Sequence, residues 1–211
     1  MNNCQYKPIC RSNCPFIPSS SLPIPDYLGP LYDIGGIIIV ASNPGPLSSS
    51  YAYCDGVRDT LFQNLGNSTS VIDYKTLRDF LRDYMKTWKN RLLVNMQNQC
   101  TLNYDIERIA FINLVKCRTI KTWSRISPKV QDKIAKQCWE AWTEEQINLL
   151  NPGFIFFQWK GTEASFKTVC PYHNNFTTYS YNGSTAISKS AKSQNNKFEQ
   201  VFKAIYSSFH F

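Results

Sequence analysis

The stretch Gly36-Ile37-Ile38-Ile39-Val40-Ala41-Ser42-Asn43-Pro44-Gly45-Pro46 decides the fold class of this chain. A short run of β-branched residues that stops at a tight Asn-Pro-Gly turn is typical of a buried strand. Such a strand delivers the polar side chain that follows it to the carboxyl edge of a sheet. In open α/β sheets ligands bind at that edge. We therefore expect Asn43 to lie where a ligand binds.

Two later apolar runs also end at polar residues. Asn113 follows Ile109-Ala110-Phe111-Ile112, and His173 follows the run that spans 167–172. If both runs are parallel strands, Asn43, Asn113 and His173 meet at one edge of the sheet. The pattern predicts four strands in all, near residues 36–42, 108–115, 153–159 and 167–172.

Helical patterns separate these strands. One helix begins at Ser127-Pro128, an N-cap followed by Pro at the first helical position, and Asn151-Pro152-Gly153 stops it. Strands joined by helical crossovers predict an α/β fold, a three-layer sandwich around a central four-stranded, mostly parallel sheet. Apolar residues at helical spacing predict two further helices. In the first helix these residues are Leu77, Phe80, Leu81 and Tyr84. In the second they are Phe198, Val201, Phe202, Ile205 and Phe209.

Length and composition predict one domain over residues 1–211. An apolar content of 43% with 14% aromatic residues excludes global disorder. Residues 1–35 are rich in Pro, Ser and Cys, so we expect an irregular leader that packs on the domain. Residues 182–196 are polar and predict a mobile loop.

The charge balance indicates a nucleic-acid partner. A formal net charge of +8 is the electrostatic footprint of a nucleic-acid binder, although a basic surface without a specific partner is the alternative. No segment approaches the roughly 20 apolar residues of a membrane helix, and Met1-Asn2-Asn3-Cys4 does not begin a signal peptide. We expect an intracellular, cytoplasmic monomer that does not bind membranes. Its eight cysteines then need a role other than a disulfide framework.

Four stretches in order resemble the uracil-DNA glycosylase superfamily, one of them being the helix that contains Cys138 followed by residues 149–155. Val40–Pro46 is similar to its first signature, in the Asn-Pro-Gly version of the mismatch-specific and single-strand-selective branches. Phe111–Arg118 resembles the middle strand of the iron–sulfur branch, where an Asn-Val-Val-Lys-Cys-Arg run is typical. Pro171–Asn175 resembles the last signature, a Tyr-His before a loop that enters the DNA minor groove. The resemblance covers roughly residues 10–175 and implies a DNA glycosylase.

The chemistry of N-glycosidic hydrolysis explains these residue types. The reaction passes through an oxocarbenium-like sugar and a departing anionic base. The resemblance implies that Asn43 positions the attacking water and that His173 donates a hydrogen bond to pyrimidine O2. Asn113 would read the Watson–Crick edge of the base with its donor and acceptor, and Tyr51 or Tyr53 would stack on the extruded base.

Each residue also has a simpler interpretation. Asn43 serves equally well as a turn former before Pro and Gly. A lone histidine such as His173 is more often structural than catalytic, and Tyr51 or Tyr53 can be ordinary packing residues. Asn113 is harder to dismiss, because a buried amide without partners costs about 1–3 kcal/mol.

The cysteines suggest a metal centre. The resemblance implies a [4Fe–4S] cluster held by Cys10, Cys14, Cys117 and Cys138. Three residues separate Cys10 from Cys14 rather than the usual two, and Cys4 can replace Cys10. Tetrathiolate zinc and a core role for Cys138 remain open. We expect the other three cysteines to be structural, namely Cys54, Cys100 and Cys170.

The resemblance implies a monofunctional glycosylase that flips out uracil or a C5-modified pyrimidine and leaves an abasic site, because no lysine sits in a nucleophile motif. The loop at 47–53 has several small residues, which suits a large C5 substituent. Two roles for such an enzyme remain open, namely DNA repair and defence against hypermodified viral DNA. A non-catalytic DNA-binding relative of the superfamily is the competing hypothesis. Residues 67–105 are an insertion beyond what the family normally carries, and they are a second place where such specificity can reside. The expected phosphate contacts are Lys116, Arg118, Lys121 and Arg125.

Overall fold

One mixed sheet organises the computed structural model, which describes residues 26–42, 75–76, 78–79, 106–117, 119, 123–158, 160–180, 200–205 and 207–208. Its strand order is β1-β3-β2-β4-β5. β2 to β5 run parallel, and β1 is antiparallel to β3. The α/β class is confirmed, with five strands rather than four. The strands are β1 (Tyr27–Leu28), β2 (Ile37–Ala41), β3 (Ala110–Asn113), β4 (Phe154–Phe157) and β5 (Thr177–Ser180).

Helices cover both faces of this sheet. Ile38 and Val40 of β2 pack into the main apolar cluster together with buried helical residues such as Ile134. On the other face, the Phe156 ring meets Phe202 of the helical segment 200–205, with ring centroids 4.8 Å apart. None of the helices in the described ranges is long and apolar enough to cross a membrane. The helices named below are α1 (Pro128–Cys138), α2 (Glu144–Leu150) and α3 (Lys160–Val169).

The predicted helix from Ser127 to Leu150 is confirmed. Ser127 has the extended backbone of an N-cap, Pro128 follows at the first position, and the π-helical segment Trp139–Thr143 joins α1 to α2. At the other end Asn151 adopts a left-handed conformation with φ 39°, and its N–H donates to the carbonyl of Ile147 at 2.8 Å. Local backbone chemistry therefore sets both ends of this helix.

The three strands predicted near 36–42, 108–115 and 153–159 are also confirmed, but the strand predicted at 167–172 is wrong. Residues 160–169 form α3, and the chain pairs with β4 only at β5. The buried residues Thr162, Ser165 and Phe166 lie three and four positions apart, which is helical rather than strand periodicity. A parallel strand after β4 also requires a crossover, and α3 supplies it.

The expected irregular leader at 1–35 includes a strand. Tyr27 and Leu28 pair with Phe111 and Ala110, so the end of this stretch joins the sheet as β1. Residues 75–76 and 78–79 are helical, as are 200–205 and 207–208, in agreement with the two other predicted helices. The predicted loop at 182–196 and the side chains of Leu77, Phe80, Leu81, Tyr84, Phe198 and Phe209 lie outside the described residues.

Candidate functional site

The carboxyl edge of the sheet contains a topological switch point. β2 lies between β3 and β4, and the chain passes from β2 to β3 on one side but from β4 to β5 on the other. In open α/β sheets, ligands bind at the carboxyl ends of the strands beside such a switch point, which here are β2 and β4. Ala41, the last residue of β2, is level with Asn113 of β3. The candidate site is this edge.

Asn113 is held at the edge by a buried ion pair. One carboxylate oxygen of Asp26 accepts the Asn113 N–H at 2.7 Å, and the other accepts a hydrogen bond from the Lys116 ammonium. Lys116 also donates to the Asn113 carbonyl at 2.7 Å. Burial raises the pKa of the Asp26 carboxyl, while Lys116, the Asn113 N–H and Gln146 each lower it. These groups form a closed network around the Asn113 peptide.

Within the part of the chain that the structure describes, no donor meets the side-chain oxygen of Asn113. Asn113 is 4% exposed, and its Oδ1 has no hydrogen-bond partner among the described residues. An unpaired buried acceptor costs free energy, so such an atom in a folded protein calls for an explanation. At a ligand-binding edge, a bound N–H donor would satisfy it.

Hydroxyl groups join the end of β2 to the start of α3. Ser42 directly follows β2, and its Oγ lies 2.6 Å from Oγ1 of Thr162 in the first turn of α3. The N–H of Gln158 donates to the Val40 carbonyl at 2.9 Å. These hydrogen bonds join the start of the β4–α3 connection to the end of β2. They hold in place the carboxyl edge of the sheet, at which β3 ends with Asn113.

His173 does not lie at this edge, and its predicted convergence with Asn113 is wrong. It follows α3 and precedes β5. The first residue of β5, Thr177, pairs with Phe154 of β4, which in turn pairs with Ile37 at the start of β2. His173 is therefore on the amino side of the sheet, where the level of Thr177 is about 13 Å from that of Asn113 along the strands at roughly 3.3 Å per residue. Its Nδ1 lies 2.9 Å from the carbonyl oxygen of Cys170.

The surroundings of His173 are those of a structural turn. Cys170 is fully buried, and burial raises the pKa of its thiol to about 11. The Tyr172 hydroxyl donates to Asn148 of α2 at 3.1 Å. Burial, with the nearby charge of Glu144, raises the pKa of Tyr172 to about 12. The turn is bonded to α2, and the prediction that Cys170 is structural agrees with its complete burial.

The predicted cluster ligands are described in part. Cys117 and Cys138 are 9% and 7% exposed and belong to the same apolar cluster. Two buried thiols in one cluster fit a thiolate-bound metal and fit core cysteines equally well. Cys10 and Cys14 lie outside the described residues, and no metal-binding group is found among the residues that the structure does describe.

The predicted phosphate contacts divide in two. Lys116 is 4% exposed and its charge is neutralised by Asp26, so its assignment as a surface phosphate contact is corrected. Arg125 is exposed on the 3-10 turn Trp123–Arg125 and is available to a polyanion. Arg118 and Lys121 lie outside the described residues, as do Asn43, Tyr51 and Tyr53 of the predicted catalytic and base-binding set.

Sequence reasoning missed Asp26. It lies between Pro25 and Tyr27, where nothing in the local pattern distinguishes a buried anion from a turn residue. The only clue is Lys116, a charge three residues beyond Asn113 in an apolar segment, which needs a partner if the segment is buried. Lys116 indicates that its partner is negatively charged, but it does not indicate which residue that partner is.

Comparison with known proteins adds no relative, because neither the protein-family models nor the curated proteins contain a match to this chain.

Proposed function

We propose that this chain is a DNA glycosylase that removes uracil or a C5-modified pyrimidine and leaves an abasic site. The observation that carries the proposal is the Asn113 carboxamide, which is buried at the carboxyl edge of the sheet and whose acceptor has no partner among the described residues. Ala41 is level with it, and Asn43 is two residues further along the chain from Ala41. Asn43, the other amide named by the motif resemblance, lies outside the described residues, so its approach to Asn113 is part of the proposal.

The division of labour follows from what each amide can do. Asn113 Oδ1 accepts a hydrogen bond, and the N3–H of uracil or thymine supplies one on the Watson–Crick edge of a flipped base. Asn43 would orient a water toward the sugar carbon. A neutral amide is a weak base, but orientation is sufficient when the electrophile is an oxocarbenium-like sugar. His173 has no part in this mechanism, because it lies at the opposite edge of the sheet.

DNA is the partner that fits the charge. The chain carries 23 Lys and Arg against 15 Asp and Glu, which gives the net charge of +8. Lys116 is already neutralised, so exposed cations such as Arg125 would meet the phosphates. Binding that depends on phosphate neutralisation weakens steeply as salt rises.

A [4Fe–4S] cluster remains part of the proposal in a structural role. Cys10, Cys14, Cys117 and Cys138 would hold it, and it would join the amino-terminal leader to the core beneath β3. Nothing in the reaction requires its redox chemistry.

A second candidate is a DNA-binding relative of the superfamily that does not turn over. The position of His173 favours it, because the fold would then retain the base-reading amide without the residue that the resemblance assigns to the departing base. An assay for abasic sites distinguishes this candidate from the glycosylase.

The test is a panel of oligonucleotides with one uracil, thymine, cytosine or C5-modified pyrimidine, offered as single strands and as duplexes. Incubation with the protein followed by alkali cleaves the DNA wherever a base has been removed. Cleavage at a pyrimidine, lost in Asn43→Ala, supports the glycosylase. Salt-sensitive binding with no alkali-labile product supports the non-catalytic relative, and no binding to any DNA refutes both.

A further inference from the structure

The first strand is too short to reach Asn113. Tyr27 begins β1 and pairs with Phe111, two residues before Asn113. The N–H of Leu114 donates to Ala41 of β2 at 2.8 Å, so the Asn113 N–H points the other way, beyond the end of β1. Asp26 supplies the missing acceptor with its side chain at 2.7 Å. The Asp26 carboxylate therefore takes the place of the backbone carbonyl that a longer β1 would offer to the Asn113 N–H.

Lys116 completes the support. Its ammonium bonds to Asp26 and to the Asn113 carbonyl, so both main-chain polar groups of Asn113 are held by the same ion pair. The Lys116 and Asp26 side chains are only 5% and 10% exposed. Hydrogen bonds to charged groups that are removed from water are short, directional and strong.

The carboxamide of Asn113 has no comparable support of its own. Its Oδ1 is without a partner among the described residues, so no hydrogen bond to that atom holds the carboxamide, and the held peptide sets the point from which the carboxamide projects. We propose that Asp26 and Lys116 are positioning residues that set the direction of the Asn113 carboxamide and thereby determine which base is accepted. This inference rests on the proposed function, and it assigns to the ion pair a role in specificity rather than in stability alone.

The two roles can be separated with three variants. Asp26→Asn keeps the size of the side chain but leaves Lys116 facing a neutral amide. Lys116→Met removes the ammonium and keeps most of the apolar length. The double variant Asp26→Asn/Lys116→Met contains no unpaired buried charge, so it recovers much of the stability that the single variants lose. It does not recover the bond from Lys116 to the Asn113 carbonyl.

The measurement is the ratio of kcat/KM for uracil to that for cytosine at the same position of one oligonucleotide, with thermal unfolding followed in parallel. We expect each single variant to reduce the ratio by up to about 10²-fold, the effect typical of a small misplacement of a positioning group. The double variant should unfold close to the wild-type temperature and still show the reduced ratio. Asp33→Asn and Lys133→Met, which make the same changes at exposed positions, should alter neither quantity.

Two outcomes would overturn the inference. In the first, the ratio of the double variant returns to the wild-type value together with its stability, which is what a purely structural ion pair predicts. In the second, the single variants lose activity on uracil and cytosine in equal proportion, so that the ratio does not change. If the wild-type protein removes no base at all, the proposed function itself fails and this inference falls with it. An unchanged ratio in an active enzyme refutes the inference alone.

Discussion

The N–H of Gly153 donates to the carbonyl oxygen of Gly35 at 2.9 Å, and a Cβ at Gly153 would lie 2.3 Å from that oxygen. This contact joins the chain entering β4 to the turn that precedes β2. It therefore sets the register of the two central strands, in which Ile37 is level with Phe154.

Gly153→Ala should destabilise the protein by about 1–3 kcal/mol or more, because the added methyl group forces two backbone segments apart. Urea unfolding followed by circular dichroism measures the change. Gly161→Ala is the matched control, since Gly161 is exposed in α3 and alanine there favours the helix by roughly 0.5–1 kcal/mol. Equal stability of the two variants would show that the Gly35 contact is not a constraint.

Replacing the two amides should have different consequences for catalysis. Asn43→Ala is expected to reduce turnover by about 10²–10³-fold, the usual cost of losing one preorganised group. Asn113→Ala should chiefly reduce discrimination between bases, by about 1–3 kcal/mol or roughly 10- to 100-fold. Single-turnover rates on uracil and cytosine substrates measure both effects. Equal loss on both substrates in Asn113→Ala would contradict its role in reading the base.

His173→Ala should keep nearly wild-type turnover, because His173 lies at the amino edge and bonds to the Cys170 carbonyl. A modest fall in melting temperature is the expected effect, since the turn before β5 loses one hydrogen bond. Activity and thermal unfolding are measured on the same preparation. A large loss of turnover with unchanged stability would return His173 to the catalytic site and refute its placement.

Glu163 should make stability dependent on pH at the acid end. Partial burial alone would raise its pKa, but bonds from Lys167, Ser180 and Thr178 outweigh this and hold the pKa below its usual value. The ionised form is thus favoured in the fold. Its contribution is complete above the ordinary glutamate pKa of about 4.3 and is lost as pH falls through the lower folded value.

Glu163→Gln should therefore flatten the decline of melting temperature below about pH 4.3. Glu145→Gln, at an exposed position of α2, is the matched control and should leave the decline as steep as in the wild type. The melting temperature of the three proteins between acid and neutral pH tests this. An equal slope in Glu163→Gln and the wild type would show that the bonds to Lys167 and Ser180 contribute nothing.

Cys170 should resist alkylation. Its thiol is fully buried and its pKa is about 11, so at pH 8 only about one molecule in a thousand is a thiolate, which is the reactive form. Mass spectrometry of the peptide that contains Cys170, after brief treatment with iodoacetamide, measures the reaction. Modification should be rapid in concentrated urea and slow in buffer, and rapid modification in buffer would contradict the burial of this residue.

The metal prediction is tested by purification without oxygen. A [4Fe–4S] cluster predicts a brown protein with about four irons per chain. Cys117→Ser and Cys138→Ser should each lose iron, whereas Cys170→Ser should retain it. Stoichiometric zinc without iron would exclude the cluster, and a metal-free, fully folded protein would identify Cys117 and Cys138 as core residues.

Local sequence signals determined the elements whose ends depend on backbone chemistry. Pro128 and Asn151 bound the long helix, and the apolar run at Ile37–Ala41 is a central strand buried on both faces. These features were predictable because a helix end or a doubly buried strand is defined by residues that are adjacent in the chain. The position of Asn113 at the end of a parallel strand was predictable for the same reason.

Only the tertiary structure decided which residues meet. A strand and the last turn of an amphipathic helix are alike in composition, so the sequence alone predicts a strand at 167–172 and with it the wrong edge of the sheet for His173. The burial of Lys116 depends on Asp26, 90 residues away, and on a first strand too short to pair with Asn113. Contacts between distant segments leave no periodic trace in the chain, because they follow from strand order and register.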